Sequence, residues 1–377
     1  MGAEFDKTEK VLTIGIPAYH AEKTIDRCIA SILVQSWLDK VQIIVASDEP
    51  NNDNYFPLIE TYDYVGKDLI KVLKTDKNTG PGLARQRCLN ACQTPWITFI
   101  DADDIFANPL AIENLLKAIN NPAVIEVQGP FLQEIKMPDG TTMFNPRNDV
   151  GHPWVFGRVY NTKFLKDNKI EFSELRAMED GEFNWKIRMT IDGTPFKINI
   201  INDPVYIWKE GSEHSITRTG VDENGIPQYN FDLCPVGSTI ASINAAKFCK
   251  KKNPFNGGVT RFIVEMMIGQ YFTYVECWKK KQIFADQCFF NAKRFYHECY
   301  KEVEKDIPEE ILNTMYTAQY AAKAPDMVGI IPEVTFFEFM EDVKNAPYGG
   351  EQELMDLRSE LPEDVLENDK KTGVSVW

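Results

Sequence analysis

Two aspartates separated by one residue, Asp101-Ala102-Asp103, with Asp104 directly behind them, are the constellation in the 377-residue chain best suited to chemistry. They follow the apolar run Trp96–Ile100, which reads as a strand, so they stand at a strand's C-terminal end, where open α/β sheets place their ligand crevices. Side chains two apart in extended chain project to the same side, and Asp101 and Asp103 therefore converge on one ligand. Two carboxylates with no cysteine beside them suit a hard divalent cation such as Mg2+ or Mn2+, which commonly takes phosphate oxygens as its remaining ligands. A second acidic pair, Glu179-Asp180, opens a stretch with helical spacing; as local structure it reads as capping charge at a helix N-terminus.

The elements that must hold these residues are legible as alternating patterns. Val11–Ile16, Val41–Ala46 and Ile70–Leu73 are short β-branched runs, while Thr24–Gln35 puts Ile25, Cys28, Ile29, Ile32 and Leu33 on one helical face. Gly80-Pro81 marks the start of another helix, and a further one is predicted from about Asn108 to Ile119. This alternation predicts βαβ units and a mostly parallel sheet. From Val124 the pattern changes to Val124–Gln128, Phe131–Met137 and Thr141–Phe144, with a Pro138-Asp139-Gly140 turn, which predicts antiparallel strands. Thr162–Asn168 and Asp180–Thr190 read as helices, Phe196–Ile201 and Val205–Trp208 as strands. Beyond Cys234, long amphipathic stretches such as Thr260–Trp278 and Ile283–Val303 predict a helical part. Two domains are expected, an α/β domain over 8–230 and a helical one over 231–377.

Composition narrows the partners. With 41 Lys+Arg against 56 Asp+Glu the formal net charge is −15, which argues against indiscriminate binding to nucleic acid. The charge is uneven: residues 247–305 carry twelve Lys/Arg and six Asp/Glu, a net of +6, and residues 306–377 carry five and sixteen, a net of −11. No apolar run reaches the roughly 18–20 residues that span a bilayer, and no signal-peptide core is present near Met1, so a cytoplasmic protein is expected. The eight cysteines are scattered and lack a C-x-x-C pair, which predicts buried thiols rather than disulfides or a zinc site.

In order along the chain, Ile16-Pro17-Ala18-Tyr19, Ile32-Leu33-Val34-Gln35, Ile43-Ile44-Val45-Ala46-Ser47-Asp48, Asn78-Thr79-Gly80 with Ala84-Arg85, Phe99-Ile100-Asp101-Ala102-Asp103-Asp104 and Met178-Glu179-Asp180-Gly181-Glu182-Phe183 resemble the family 2 glycosyltransferases. The likeness covers roughly residues 10–218. It implies a GT-A fold, in which a Rossmann-like nucleotide-binding half joins a mixed acceptor half, here followed by the helical domain. It implies that Pro17, Ala18, Tyr19 and Asp48 recognise the nucleotide base, an aromatic covering its face and a carboxylate accepting from an N–H. Arg85 is implied near the diphosphate or the aspartates, Asp101 with Ala102 at the ribose or metal, Asp103 on the cation, and Asp104 in support. Asp180 is implied as general base, with Glu179 supporting it. The segment after the last strand implies His214 as a further metal ligand and Arg218 as a phosphate contact. Three places depart from the family pattern: His20 stands where Asn is usual, Ser47-Asp48-Glu49-Pro50 replaces Asp-Asp-Gly-Ser, and Gln86 follows Ala84-Arg85 where Asn is usual.

The expected activity is inverting, metal-dependent transfer of a sugar from a nucleotide-sugar donor, a UDP-sugar favoured, to a hydroxyl of a glycan or glycoconjugate. The alternative acceptor is DNA bearing hydroxymethylated pyrimidines, for which the basic stretch 247–305 and aromatics such as Phe262, Tyr271, Phe272, Phe290, Phe295 and Tyr296 would supply phosphate contacts and stacking. A dinucleotide oxidoreductase is set aside, because the first turn reads Gly15-Ile16-Pro17-Ala18-Tyr19 and Gly-x-Gly-x-x-Gly is absent.

Overall fold

The computed structural model describes residues 9–51, 53–62, 64–66, 68–137, 139–148, 151–209, 218–221, 227–229, 233–253, 257–280, 285–323 and 334–359. In chain order the strands are β1 (Leu12–Ala18), β2 (Val41–Ser47), β3 (Ile70–Leu73), β4 (Trp96–Phe99), β5 (Ile105–Phe106), β6 (Val124–Gln128), β7 (Phe131–Lys136), β8 (Thr142–Arg147), β9 (Arg158–Asn161), β10 (Lys197–Ile200), β11 (Tyr206–Lys209), β12 (Arg218–Val221) and β13 (Pro227–Tyr229). The helices are α1 (Ile25–Leu33), α2 (Pro57–Tyr62), α3 (Gly80–Ala91), α4 (Ala111–Lys117), α5 (Thr162–Asp167), α6 (Glu179–Ile191), α7 (Leu233–Lys252), α8 (Gly257–Lys280), α9 (Ala285–Glu298), α10 (Glu309–Lys323), α11 (Phe336–Asn345) and α12 (Glu351–Ser359). They fall into two compact units that interleave in sequence, 1–174 with 193–215, and 175–192 with 216–377.

The first unit is built on a seven-stranded sheet in the order β10-β6-β9-β4-β1-β2-β3. Strands β4, β1, β2 and β3 run parallel, and β9 is inserted antiparallel between β6 and β4. The alternating sequence pattern arises because both faces of these strands are covered: Ile14, Ile16, Ile43 and Val45 pack with Ile29 and Ile32 of α1 and with Ile112 and Leu115 of α4. On α3 the contact is closer. A Cβ on Gly15 would lie 2.9 Å from Cys88 Cβ and 3.0 Å from Phe99 Cδ1, so only glycine lets this helix lie directly on β1 and β4.

The three runs expected to form antiparallel strands divide between two sheets. Strand β6 joins the large sheet, parallel to β10, while β7 and β8 pair antiparallel in a second sheet ordered β5-β11-β7-β8. The chain switches sheets at Gly129-Pro130, where a Cβ on Gly129 would stand 2.7 Å from Val205 Cγ2.

The second unit is helical. Its core draws on α6 to α9 and α11, with Met189, Ile243, Cys249, Ile263, Met267, Phe295, Phe339 and Val343 all buried. Phe262, Tyr271, Phe272, Phe290, Phe295 and Tyr296, which as sequence were candidates for stacking on nucleic-acid bases, are buried in this unit. Several basic residues of the stretch are paired as well: Lys247 Nζ lies 2.6 Å from Glu298, Lys250 pairs with Glu302, and buried Lys293 pairs with Glu353. No described helix is long and apolar enough to cross a membrane. The described cysteines Cys28, Cys88, Cys92, Cys249, Cys288 and Cys299 are buried free thiols, as the spacing predicted.

Candidate active site

The parallel strands β1, β2 and β4 end at one edge of the sheet, with Ala18 in register with Ser47 and Gly15 with Phe99. The strand order reverses between β1 and β4, the switch point at which such sheets form a ligand crevice. The segments leaving this edge are Tyr19-His20, Asp48-Glu49 and Asp101–Asp104, so the structure brings the base-side and acidic candidates to neighbouring strand ends.

The acidic turn is held on both sides. Buried Arg85, on α3, donates from Nη2 to Asp101 Oδ1 at 2.7 Å. Opposite, the Tyr206 hydroxyl on β11 accepts from the Asp101 backbone N–H at 3.2 Å and donates to Asp104 Oδ2 at 2.6 Å, while the Lys209 N–H donates to Asp104 Oδ1 at 2.7 Å. Burial, then the charges of Asp103 and Asp101 beside it, push the Asp104 carboxyl well above the usual carboxylate range. Asp104 thus anchors the turn, while Asp101 and Asp103 stay half-exposed and Ala102 is buried beneath them. Tyr206 also ends an aromatic column: Trp208 stacks on Trp154 at 5.8 Å between ring centroids, Trp154 on Phe156 at 5.5 Å, and Phe156 on Tyr206 at 4.5 Å.

Asp48 lies at the end of β2 but is only 3 % exposed, and the fold's own donors surround its carboxylate. Oδ1 accepts from the Thr79 hydroxyl at 2.6 Å, from the Thr79 N–H at 3.0 Å and from Arg87 Nη2 at 3.2 Å; Oδ2 accepts from the Gly80 N–H at 2.7 Å. Asp48 therefore caps α3 across the sheet edge, placing negative charge at the positive end of the helix that carries Arg85. Gly80, at φ +83°, takes the left-handed turn that delivers its N–H there. Pro17 is half-buried and Ala18 buried in β1, whereas Tyr19 is 49 % exposed, with its ring centre 4.1 Å from that of His20.

Two of the departures from the family pattern meet. Glu49 Oε1 accepts from the His20 N–H at 2.7 Å and from the Tyr55 hydroxyl at 2.6 Å, and Tyr55 in turn accepts from the Ala21 N–H at 2.9 Å. A carboxylate in place of glycine thus ties the loop after β1 to the loop after β2. Sequence reasoning missed Arg87, Glu49, Tyr55 and Tyr206; the pairing of an altered His20 with an altered Glu49 was the one available signal.

In the second unit, Glu179 and Asp180 open α6. The residue at the helix cap is Met178, at φ +67° with no side-chain cap bond, and Asp180 Oδ1 accepts from the Gly181 N–H at 2.7 Å. Glu179 is buried and Asp180 half-buried. His214 lies outside the described residues, and Arg218 begins β12.

Comparison with known proteins agrees with this arrangement. Residues 13–169 match the family model Glycosyl transferase family 2. The chain is 27% identical over 194 residues to a processive diacylglycerol beta-glycosyltransferase of Mycoplasma pneumoniae, covering 45% of this chain and 56% of that one. It is 25% identical over 217 residues to a poly(ribitol-phosphate) beta-glucosyltransferase of Bacillus spizizenii, covering 54% and 33%. The chain thus spans about half the length of the first of these relatives and a third of the second. Among solved structures, S. aureus TarS residues 1-349 in complex with UDP superpose with a TM-score of 0.59 at 16% identity, covering 90% of this chain and 93% of that one, which is a likeness of fold. The motif order, the parallel sheet with its acidic turn at the switch point, and the family match over 13–169 together identify a glycosyl transferase family 2 domain within the first unit, and its fold is GT-A.

Proposed function

We propose that the chain transfers a sugar from a nucleotide-sugar donor, with a UDP-sugar favoured, to an acceptor hydroxyl with inversion at the anomeric carbon. The observation that carries this is the Asp101–Asp104 turn at the end of β4, clamped by Arg85 and Tyr206 so that Asp101 and Asp103 stay half-exposed. The S. aureus TarS structures hold UDP or UDP-GlcNAc, which supports the uridine reading.

In this reading Tyr19 covers the base, Pro17 and Ala18 shape its wall, and Asp48 serves the pocket by fixing the start of α3. Asp101 and Asp103 offer only oxygen donors, and the negative charge crowded at Asp104 fits a divalent cation. Mn2+ or Mg2+ on Asp103 would neutralise the diphosphate leaving group. His214 as a further ligand and Arg218 as a phosphate contact complete the proposal. Asp180 takes the proton of the acceptor hydroxyl as its oxygen bonds to the anomeric carbon and the bond from that carbon to the diphosphate breaks; Glu179 supports it. One displacement inverts the centre and needs one base.

A glycan or glycoconjugate acceptor is favoured over DNA because the aromatics of the basic stretch are core residues and several of its lysines are internally paired. The test is a thermal-shift and hydrolysis screen of UDP-, GDP-, CDP- and TDP-sugars with Mn2+. A stabilising shift and turnover with one nucleotide class, lost in Asp103→Ala, is expected; no response to any of the four would overturn the proposal.

A further inference from the structure

Helix α6 begins under strain. Met178, at φ +67°, holds a left-handed backbone that residues with a side chain rarely adopt and that persists only where the surroundings over-determine it. The surroundings in question come from α7. Gly237, near the start of α7, lies against the residue before Met178: a Cβ there would stand 2.8 Å from the Ala177 carbonyl oxygen, closer than real Cβ contacts allow. One turn into α6, buried Glu182 accepts from Asn244 Nδ2 of α7 at 3.1 Å and pairs with Lys186. Further along, the Lys186 ammonium sits 5.3 Å from the centre of the Phe248 ring, and the Cys249 thiol donates to the Lys186 carbonyl at 3.7 Å. The two helices are thus fastened at successive turns, and the fastening nearest Asp180 has no space for even a methyl group.

We propose that α7 is the seat that fixes the Glu179–Asp180 helix start for the transfer step, with Gly237 and Asn244 as positioning residues. The inference rests on the reading of Asp180 as general base. Gly237 works by the absence of a side chain, letting the backbone of α7 approach Ala177 and hold Met178 in its left-handed turn. Asn244 works by its amide, which keeps Glu182 and the first turn of α6 in register. Neither residue is assigned a contact with donor or acceptor, so their loss acts on geometry alone. Misplacement of a reacting group by about 1 Å costs on the order of 100-fold in rate. Relieving a 2.8 Å approach calls for several tenths of an ångström, so roughly tenfold is expected for Gly237→Ala.

The experiment measures kcat and donor KM, with UDP affinity by calorimetry in the presence of Mn2+, for Gly237→Ala, Asn244→Ala and Asp180→Asn in the full chain. The expected result is a kcat lowered about tenfold in Gly237→Ala and severalfold in Asn244→Ala, with donor KM and UDP affinity within twofold of the parent, and no transfer in Asp180→Asn. Asn244→Ala introduces no bulk and keeps the test open if Gly237→Ala does not fold. Parental kcat in the folded position variants beside an inactive Asp180→Asn overturns the seat and leaves the base standing. Full transfer by Asp180→Asn overturns the base, and this inference with it. A loss of UDP affinity matching the loss of kcat also overturns it, because that marks general disruption.

Discussion

Replacing Asp48 by alanine separates two roles that one carboxylate at the end of β2 can have. Bound directly to a base, Asp48 would matter for nucleotide affinity and little for folding. The structure gives it four close hydrogen bonds within the fold, from the Thr79 hydroxyl and N–H, the Gly80 N–H and Arg87, at 2.6–3.2 Å, with only 3 % of the residue exposed. Hydrogen bonds to a charged group contribute about 1.5–3 kcal/mol each, but these four share one acceptor and do not add. Removing one partner of a buried charged pair costs about 3–5 kcal/mol, which is the better guide. With about 2–4 °C lost per kcal/mol in a unit of this size, Asp48→Ala is expected to lower the midpoint of thermal unfolding by on the order of 10 °C. Asp48→Asn, which keeps the shape but turns an amide N–H2 toward other donors, should lie between. Far-UV circular dichroism melts with and without UDP and Mn2+ read both quantities. An Asp48→Ala protein that melts within about 2 °C of the parent and has lost nucleotide affinity would refute the capping argument and return the carboxylate to the base.

Other perturbations have equally definite outcomes. Asp180→Asn should leave UDP binding within twofold and abolish transfer, measured by release of UDP from donor plus acceptor. Asp103→Ala, or removal of divalent cations with EDTA, should weaken UDP binding by tenfold or more in calorimetry, and unchanged affinity would count against the metal assignment. Tyr206→Phe deletes the hydroxyl between Asp101 and Asp104 and leaves a buried carboxylate short of a donor, at about 1–3 kcal/mol; a lowered melting point with weaker Mn2+-dependent UDP binding is expected. Burial raises the Cys249 thiol to about 11 and the Cys88 thiol to about 12. Unfolded thiols ionise near 9 while these stay neutral, so folding stability should be intact below about pH 8.5 and decline as pH rises toward 11–12. At pH 8 neither should react with a disulfide reagent until urea is added.

What the sequence revealed and what it hid follow one physical division. Strands β1, β2 and β4 were legible because each is a largely apolar run buried on both faces, edge strand β3 because Ile70, Val72 and Leu73 stand out around exposed Lys71, and the acidic turn because it breaks such a run abruptly. Strand β9 left no signal: its four residues enter the sheet antiparallel after Gly157, and their place is decided by partners 30 or more residues away. Helix α7 lacked a clear amphipathic stripe because Ala241, Ile243, Ala245, Ala246 and Cys249 are buried around most of its circumference. In the acidic turn, Asp101, Asp103, Asp104 and the Arg85 that holds Asp101 were picked out by motif order, whereas Tyr206, and Arg87 at Asp48, were not. Tyr206 lies 102 residues from the Asp104 it holds, and Arg87 39 from Asp48. The roles of such residues are created by tertiary proximity.

The column of rings running from Trp208 through Trp154 and Phe156 to Tyr206 makes the acidic turn optically addressable. Two indoles 5.8 Å apart and tilted by 28° share their excitation, and the sign and size of the resulting near-ultraviolet dichroism depend on that tilt. Because the last ring of the column grips Asp101 and Asp104 through its hydroxyl, a ligand that moves the turn is expected to change this signal in the unlabelled protein. A near-ultraviolet titration with Mn2+ and UDP then tests the proposed site without an acceptor.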